Sequence, residues 1–445
     1  MRRIIERQIL DWKESERRKP LIIRGARQVG KTWLVENFLA REFKNLAKID
    51  FEERKDLHIH FSGSLDPKKI LQALEITTGR IIPGETLLFL DEIQACPRAI
   101  MALRYFYEKI PELHVVAAGS LLEFAFDEIS FPVGRVQYLH VRPMTFYEYL
   151  LAIGNRPMAE LILLSPEDVP EVTQQMILAE LKKYFLVGGM PECIKVYRDS
   201  ESLLDVFAVQ SEILDSFRDD FSKYKPHMDA NCLDAVFGNV ARSVGDQIKY
   251  TRLNDGHTGP TNRKAFDLLC KARIFHKISA CNPSGLPLAA TAKEKKFKAC
   301  FLDVGLMQRL CEVSADAALT QDNLLAIYNG RLAEQFVAQE MLAWQVSDLY
   351  YWTREAKSSS SEVDYLAVRD GQIYPIEVKS GAGGRLKSLH LMLQAYSNCP
   401  EGLVLYSGAY RELPDQKLVF MPLYCAAVIG DTKLINSAET LLREN

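Results

Sequence analysis

The segment Gly25-Ala-Arg-Gln-Val-Gly30-Lys31-Thr32 fits GxxxxGK[ST], and no other stretch of the 445 residues constrains the fold as tightly. Leu21-Ile-Ile-Arg24 before it reads as a short buried strand. Leu34, Val35, Phe38, Leu39 and Phe43 after it recur at helical spacing. Strand, glycine loop and helix is the order that phosphate binding demands. A triphosphate needs several N–H donors converging on it. Gly25 and Gly30 let the backbone curl so that its amides and the helix N-terminus face the phosphates. The expected nucleotide contacts are Gly25, Ala26, Arg27, Gln28, Val29, Gly30, Lys31, Thr32 and Trp33. Lys31 is expected to neutralise the β- and γ-phosphates of ATP and Thr32 to hold Mg²⁺. A plain glycine turn before an amphipathic helix is the bland alternative, and the flanking strand and helix weigh against it.

A second element agrees with the first. Leu87-Leu-Phe-Leu90 is an unbroken apolar run ending in Asp91-Glu92, the pattern of a central parallel strand with acids at its carboxyl end. Asp91 is expected on Mg²⁺ through water, and Glu92 is expected to orient or deprotonate the attacking water. A third apolar strand, Val115-Val-Ala-Ala118, ends at Gly119-Ser120. Ser120 either sits beside the γ-phosphate or caps the following LLEFAF segment. Arg135 either reaches a phosphate, in cis or across a subunit boundary, or makes a surface ion pair.

GARQVGKT, LLFLDEIQ, AAGSLL and the GR…RPMTFYEYL stretch resemble the AAA+-type P-loop ATPases found across bacteria and archaea, in a subfamily where a domain of unknown function follows the ATPase. The resemblance continues through YFLVGGMP at 184–191 and FLDVGL at 301–306 to IEVKSG at 376–381. It implies an ATPase using ATP and Mg²⁺.

The middle of the chain is helical from about 151 to 221, with a turn at Gly188, Gly189 and Pro191. Residues 229–250 and 261–273 read as helices, 274–280 as a strand, 282–287 as a turn and 297–302 as a returning strand, an order that resembles a winged helix. From Arg242 to Lys298 there are twelve Lys and Arg against four Asp and Glu, in a chain whose formal net charge is -3. Arg263, Lys264, Lys271, Lys277, Lys293, Lys295, Lys296 and Lys298 are candidate DNA-phosphate contacts; a solvated basic face is the alternative.

Near the C-terminus, Glu377-Val378-Lys379 is an ExK triplet. The triplet recurs at Glu53, Glu180, Glu294 and Glu355, so only its setting distinguishes it. Residues 362–380 read as a hairpin turning at Asp370-Gly371. If Arg369 faces Gln372, Asp364 lies opposite Glu377, and Lys379 joins the same face because strand side chains alternate. Val363, Ile376 and Val378 then point into a core. Opposed carboxylates call for a cation, and a hard divalent ion such as Mg²⁺ suits them. Asp-x₁₂-Glu-Val-Lys resembles the PD-(D/E)xK nuclease core, although Val363 stands in place of its proline. That resemblance implies metal ligands Glu334, Asp364 and Glu377, with Glu377 and Lys379 catalytic. Pro375 within the second strand is expected at an edge or bulge.

No run of about eighteen apolar residues suggests a membrane span, the start lacks a signal-peptide core, and none of the nine cysteines forms a CxxC pair. A cytoplasmic protein without a membrane partner is expected. The fold expected is α/β: a P-loop parallel sheet over 1–150, a helical connector over 151–228, a winged-helix-like domain over 229–316 and a restriction-endonuclease-like α/β domain over 317–445. The function expected is ATP hydrolysis by Lys31 and Glu92, coupled to a DNA-binding, metal-dependent nuclease-like domain. The alternative is a nucleotide-controlled switch whose C-terminal domain binds a partner without cutting. A homo-oligomer is a further expectation, since a trans-acting Arg135 needs one.

Overall fold

A computed structural model describes residues 1–120, 122, 132, 134–221, 228–312, 330–344, 348–356, 359–379, 381 and 386–429. The LLEFAF segment, which Ser120 caps in one of its two readings, lies outside these residues apart from Leu122, as does Ser380 of the last motif. The chain forms two compact units, one of Ile5–Arg142 with Lys271–Arg273, the other of Met1–Ile4, Pro143–Cys270 and Ile274–Asn445.

The first unit is built on five strands: β1 (Leu21–Arg24), β2 (Asn45–Asp50), β3 (Thr86–Asp91), β4 (His114–Gly119) and β5 (Gln137–His140). They pair in the order β2-β3-β4-β1-β5, all parallel. β3 and β4 are buried along their whole length, as uninterrupted apolar runs require when both faces of a sheet are covered. Helices Pro67–Thr78 and Pro97–Lys109 each begin with proline, whose missing N–H has no helical partner to lose. Their apolar stripes, through Ile70, Leu74, Ile100, Leu103 and Phe106, join Ile49, Leu88, Leu90 and Val115 in one core. The parallel sheet places every strand's carboxyl end on one edge, where the glycine loop and Asp91 stand.

The second unit combines helices with an eight-stranded mixed sheet. Helix Phe146–Ala152 opens with a capping box between Thr145 and Glu148. Glu148 also accepts from Ile4 N–H at 2.6 Å and Arg3 Nε at 3.0 Å, fixing the N-terminal residues. The turn after helix Glu171–Val187 needs glycine for a packing reason. Gly188 has φ +75°, and a Cβ there would lie 2.2 Å from Asp303 Oδ1. Gly189 N–H donates to Asp303 Oδ2 at 2.6 Å, while Asp303 also caps helix Val304–Leu310.

The remaining strands are β6 (Phe275–Cys281), β7 (Lys293–Phe301), β8 (Tyr350–Ala356), β9 (Ser359–Arg369), β10 (Gln372–Lys379), β11 (Gly402–Tyr406), β12 (Arg411–Leu413) and β13 (Leu418–Pro422). Their order is β12-β13-β11-β10-β9-β8-β6-β7. The first helix expected in the winged-helix region, over 229–250, covers only Ala230–Arg242, and the second is Gly259–Lys271. The strands expected as a wing pair with each other, but β6 also pairs in parallel with β8 from Ser279 opposite Tyr350 to Cys281 opposite Trp352. Three residues of β6 thus pair with a C-terminal strand, and the boundary expected at 316/317 crosses a continuous sheet.

The hairpin turns at Asp370 (φ +50°) and Gly371 (φ +75°), the two left-handed residues a tight I′ turn requires. Its ladder runs from Gln372 opposite Arg369 to Ile376 opposite Tyr365, the register expected from that turn. Val363, Ile376 and Val378 are buried. Pro375 sits in an interior strand, not on an edge of the sheet. It precedes Ile376, the first residue that β11 pairs with, so a neighbour is missing on that side where its N–H is missing too.

Candidate functional site

In the first unit, β1 feeds directly into the loop and helix Lys31–Asn37. Gly30 has φ +92° and Gln28 φ +63°, so the loop folds by left-handed residues on either side of the buried Val29. A Cβ on Gly25 would stand 2.2 Å from the Val141 carbonyl oxygen; only glycine fits there. Ala26 is buried, Arg27 half-buried, and Gln28 and Trp33 are exposed. Lys31 is buried, and its Nζ donates to Gly25 O at 3.0 Å and Ala26 O at 2.7 Å. The ammonium therefore lies within the curl of the loop itself.

Thr32 Oγ1 donates to Asp91 Oδ2 at 3.0 Å, joining the helix to the end of β3 across 59 residues of sequence. Burial pushes the Asp91 carboxyl up, against the opposing hydrogen bond from Thr32. A hydroxyl and a carboxylate within hydrogen-bond reach are hard oxygen donors of the kind Mg²⁺ takes, so these two residues fit that ion. Glu92 is left-handed (φ +44°), and its Oε2 accepts from Gln94 Nε2 at 2.5 Å. Gln94 is seated over Gly119, where a Cβ would lie 2.0 Å from its Oε1. Lys48, on β2, pairs with Glu36 at 2.6 Å and lies 3.7 Å from Asp91 Oδ2. Neither Gln94 nor Lys48 stood out in the sequence. The parallel pairing of Lys48 with Phe89 and of Ile49 with Leu90 brings β2 beside Asp91. Ser120 is buried at the end of β4. Arg135 Nε pairs with Glu108 Oε1 at 3.0 Å on the surface, the second of its two expected roles.

In the second unit, Glu334 from helix Arg331–Trp344, Glu362 and Asp364 from β9, and Glu377 and Lys379 from β10 gather in one cluster. Lys379 Nζ donates to Glu377 Oε1 at 2.6 Å. Asp364 Oδ2 accepts from Val378 N–H at 2.8 Å, so this carboxylate bridges the two strands just past the end of their ladder. Glu377 Oε2 is buried without a hydrogen-bond partner. Burial, then the Asp364 charge, pushes both the Glu334 and Glu377 carboxyls up.

A residue assigned to the basic surface completes this cluster. Lys298, on β7, is only 1% exposed, and its ammonium lies 2.5 Å from Glu362 Oε1, 3.4 Å from Glu334 Oε2 and 3.5 Å from Asp364 Oδ1. Burial opposes its charge, but Asp364, Glu334 and Glu362 outweigh that and hold the amine protonated. Lys298 is thus removed from the candidate DNA contacts, because burial puts it out of reach of a phosphate. Among the described residues, no group of three or more carboxylate, histidine or cysteine side chains is arranged to hold a metal ion as the side chains stand. With the ammonium among the acids, this donor set does not fit a resident Mg²⁺. Glu362 was legible in principle: it lies two residues before Asp364, on the same face of one strand.

Of the other basic residues, Arg263, Lys264, Lys293 and Lys295 are exposed. Arg263 lies 3.6 Å from Asp267, and Lys277 sits 4.7 Å over the Phe297 ring. Among the described residues, no helix is long and apolar enough to cross a membrane, and all nine cysteines are free thiols.

Residues 17–150 match the family model described as AAA domain. The match spans all five strands of the parallel sheet and the glycine loop. Residues 178–317 match a domain of unknown function (DUF8612), and residues 329–426 match another (DUF4143). No curated protein matches the chain. Among solved structures it is similar to the structure of C. elegans PCH-2, at 12% identity and a TM-score of 0.25, over 45% of this chain and 61% of that one. The chain therefore spans less than two thirds of that neighbour's length. It is also similar to the crystal structure of protein VC1899 from Vibrio cholerae, at 10% identity and a TM-score of 0.17, over 95% of this chain and 97% of that one. Neither likeness is close enough to bear on function.

Proposed function

We propose that this chain binds and hydrolyses ATP at its glycine loop, and that its nucleotide state governs a C-terminal unit which engages a partner without cutting it. The observation that carries the first half is the meeting of Thr32 with Asp91 at 3.0 Å, one residue before Glu92. In this reading the loop amides and Lys31 bind the β- and γ-phosphates, while Thr32 and Asp91 hold Mg²⁺. The ion supplies charge that offsets the build-up on the γ-phosphate oxygens. Glu92, steadied by Gln94, orients the attacking water and takes its proton. Glu92→Gln is expected to keep ATP binding and lower phosphate release by about a hundredfold or more. Equal turnover in the two proteins would remove Glu92 from the reaction.

Two readings compete for the C-terminal unit. Metal-dependent DNA cleavage through Asp364, Glu377 and Lys379, with Glu334 as a further ligand, is supported by the gathering of those four residues. A non-cutting module is supported by the Lys298 ammonium among the same acids, and this is the reading we adopt. DNA remains the partner that the exposed Arg263, Lys264, Lys293 and Lys295 favour. A plasmid-nicking assay with Mg²⁺ or Mn²⁺, with and without ATP, separates the two. No nicking is expected; nicking that Glu377→Ala abolishes would restore the nuclease reading.

A further inference from the structure

Lys298, Glu334, Glu362 and Asp364 come from three elements far apart in sequence: an outer strand, a helix and an inner strand. One ammonium carries three N–H donors, and three carboxylate oxygens lie within 3.5 Å of it. The ammonium is buried although Glu362 is 34% exposed, and Tyr351 covers it further, with its ring 5.4 Å from Nζ. Removing such a lysine from water is costly unless its charge is matched, and here three carboxylates face it, Glu334 and Asp364 as hydrogen-bond acceptors and Glu362 as an ion pair. Nearby, Glu377 is also buried and one of its oxygens lacks a partner.

We propose that the Lys298 ammonium takes the place of a divalent cation in this cluster, leaving a latent Mg²⁺- or Mn²⁺-binding site that opens when that charge is removed. The inference deepens the non-cutting reading of this unit and rests on it. A divalent ion at the cluster would have to approach the oxygens now facing Nζ to within about 2.0–2.6 Å. At that range the lysine's positive charge repels it. Without the ammonium, the Glu334, Glu362 and Asp364 oxygens that now face Nζ are hard, anionic donors on elements already fixed by packing. Lys379 stays on Glu377 Oε1 and leaves the second oxygen available.

The test is manganese binding to the nucleotide-free, full-length protein, followed by electron paramagnetic resonance of free Mn²⁺. Lys298→Met is expected to gain one Mn²⁺ site, at least about tenfold tighter than any at this cluster in the unchanged protein. Adding Asp364→Asn to it should remove that site. Mn²⁺ should also raise the melting temperature of Lys298→Met and leave that of the double variant unmoved. Equal binding by the unchanged protein and Lys298→Met would overturn the proposal. Should Lys298→Met fail to fold, Fe²⁺-mediated backbone cleavage of the unchanged protein serves instead. Scission near residues 364–379 overturns the proposal, and its absence beside scission at an added metal tag supports it. DNA nicking by an unchanged protein that takes up no manganese here would sink the non-cutting reading while still supporting the lysine assignment.

Discussion

Glu340 is a fully buried carboxyl in helix Arg331–Trp344, and its replacement by glutamine should change how the second unit responds to pH. Its Oε1 accepts from Phe146 N–H at 2.8 Å and its Oε2 from Trp344 Nε1 at 3.0 Å. These bonds favour the ionised form, but burial outweighs them and pushes the carboxyl from 4.5 up to about 8. Between those values the folded chain keeps a proton that the unfolded chain releases. Stability from this group is therefore full below about pH 4.5 and is lost as pH rises toward 8. Each pH unit in that window costs about 1.4 kcal/mol, so between pH 5.5 and 7.5 the loss is about 3 kcal/mol. Glutamine has no such window. It forfeits the bond from Trp344, a cost of about 1 kcal/mol that does not vary with pH. Urea unfolding of the second unit, followed by the fluorescence of buried Trp344, should show the gap between the proteins moving by about 3 kcal/mol in favour of Glu340→Gln over that range. Asp303, pushed up to about 6 by burial, slopes both curves alike and drops out of the difference. Parallel curves would refute the assignment.

Two glycines give further tests in the nucleotide-binding unit. Gly25→Ala forces a Cβ against the backbone oxygen of Val141 at 2.2 Å. It should abolish ATP binding in a fluorescence titration and destabilise the unit by about 1–3 kcal/mol. Gly119→Ala meets the end of the flexible Gln94 side chain at 2.0 Å and touches the Leu122 side chain at 3.0 Å, with no backbone atom among these contacts. It should leave the fold and ATP affinity intact but free Glu92 from Gln94, lowering steady-state turnover by roughly tenfold; unchanged turnover would show that Gln94 does not position Glu92.

What the sequence made legible was local or self-announcing. The glycine loop needs eight consecutive residues, and the Asp370-Gly371 turn fixes the register of both strands beside it, so Asp364, Glu377 and Lys379 could be brought together on paper. Lys298 could not. It stands second in the strand expected over 297–302, just after the charges of KEKK, which suggest a solvated basic face, and its burial follows from pairings among β7, β6, β8 and β9 that connect residues some 70 apart. The same non-local pairing carried the supposed wing into the C-terminal sheet. Lys48 escapes a sequence reading because parallel neighbours are set by sheet order and not by adjacency in the chain, whereas Gln94, two residues from Glu92 in the LLFLDEIQ stretch, has no residue-type signal that marks its bond to Glu92. Pro375 misled because proline was weighed against a whole strand, whereas β11 begins to pair only one residue later.

Calorimetric titration of ATP with Mg²⁺ into the unchanged protein and Lys31→Ala bears most directly on the claim that the glycine loop is a nucleotide site. One ATP per chain should bind the unchanged protein, with affinity falling about a hundredfold or more in Lys31→Ala as the charge facing the β- and γ-phosphates is lost. Equal affinity in the two proteins, or no heat from either, would contradict it.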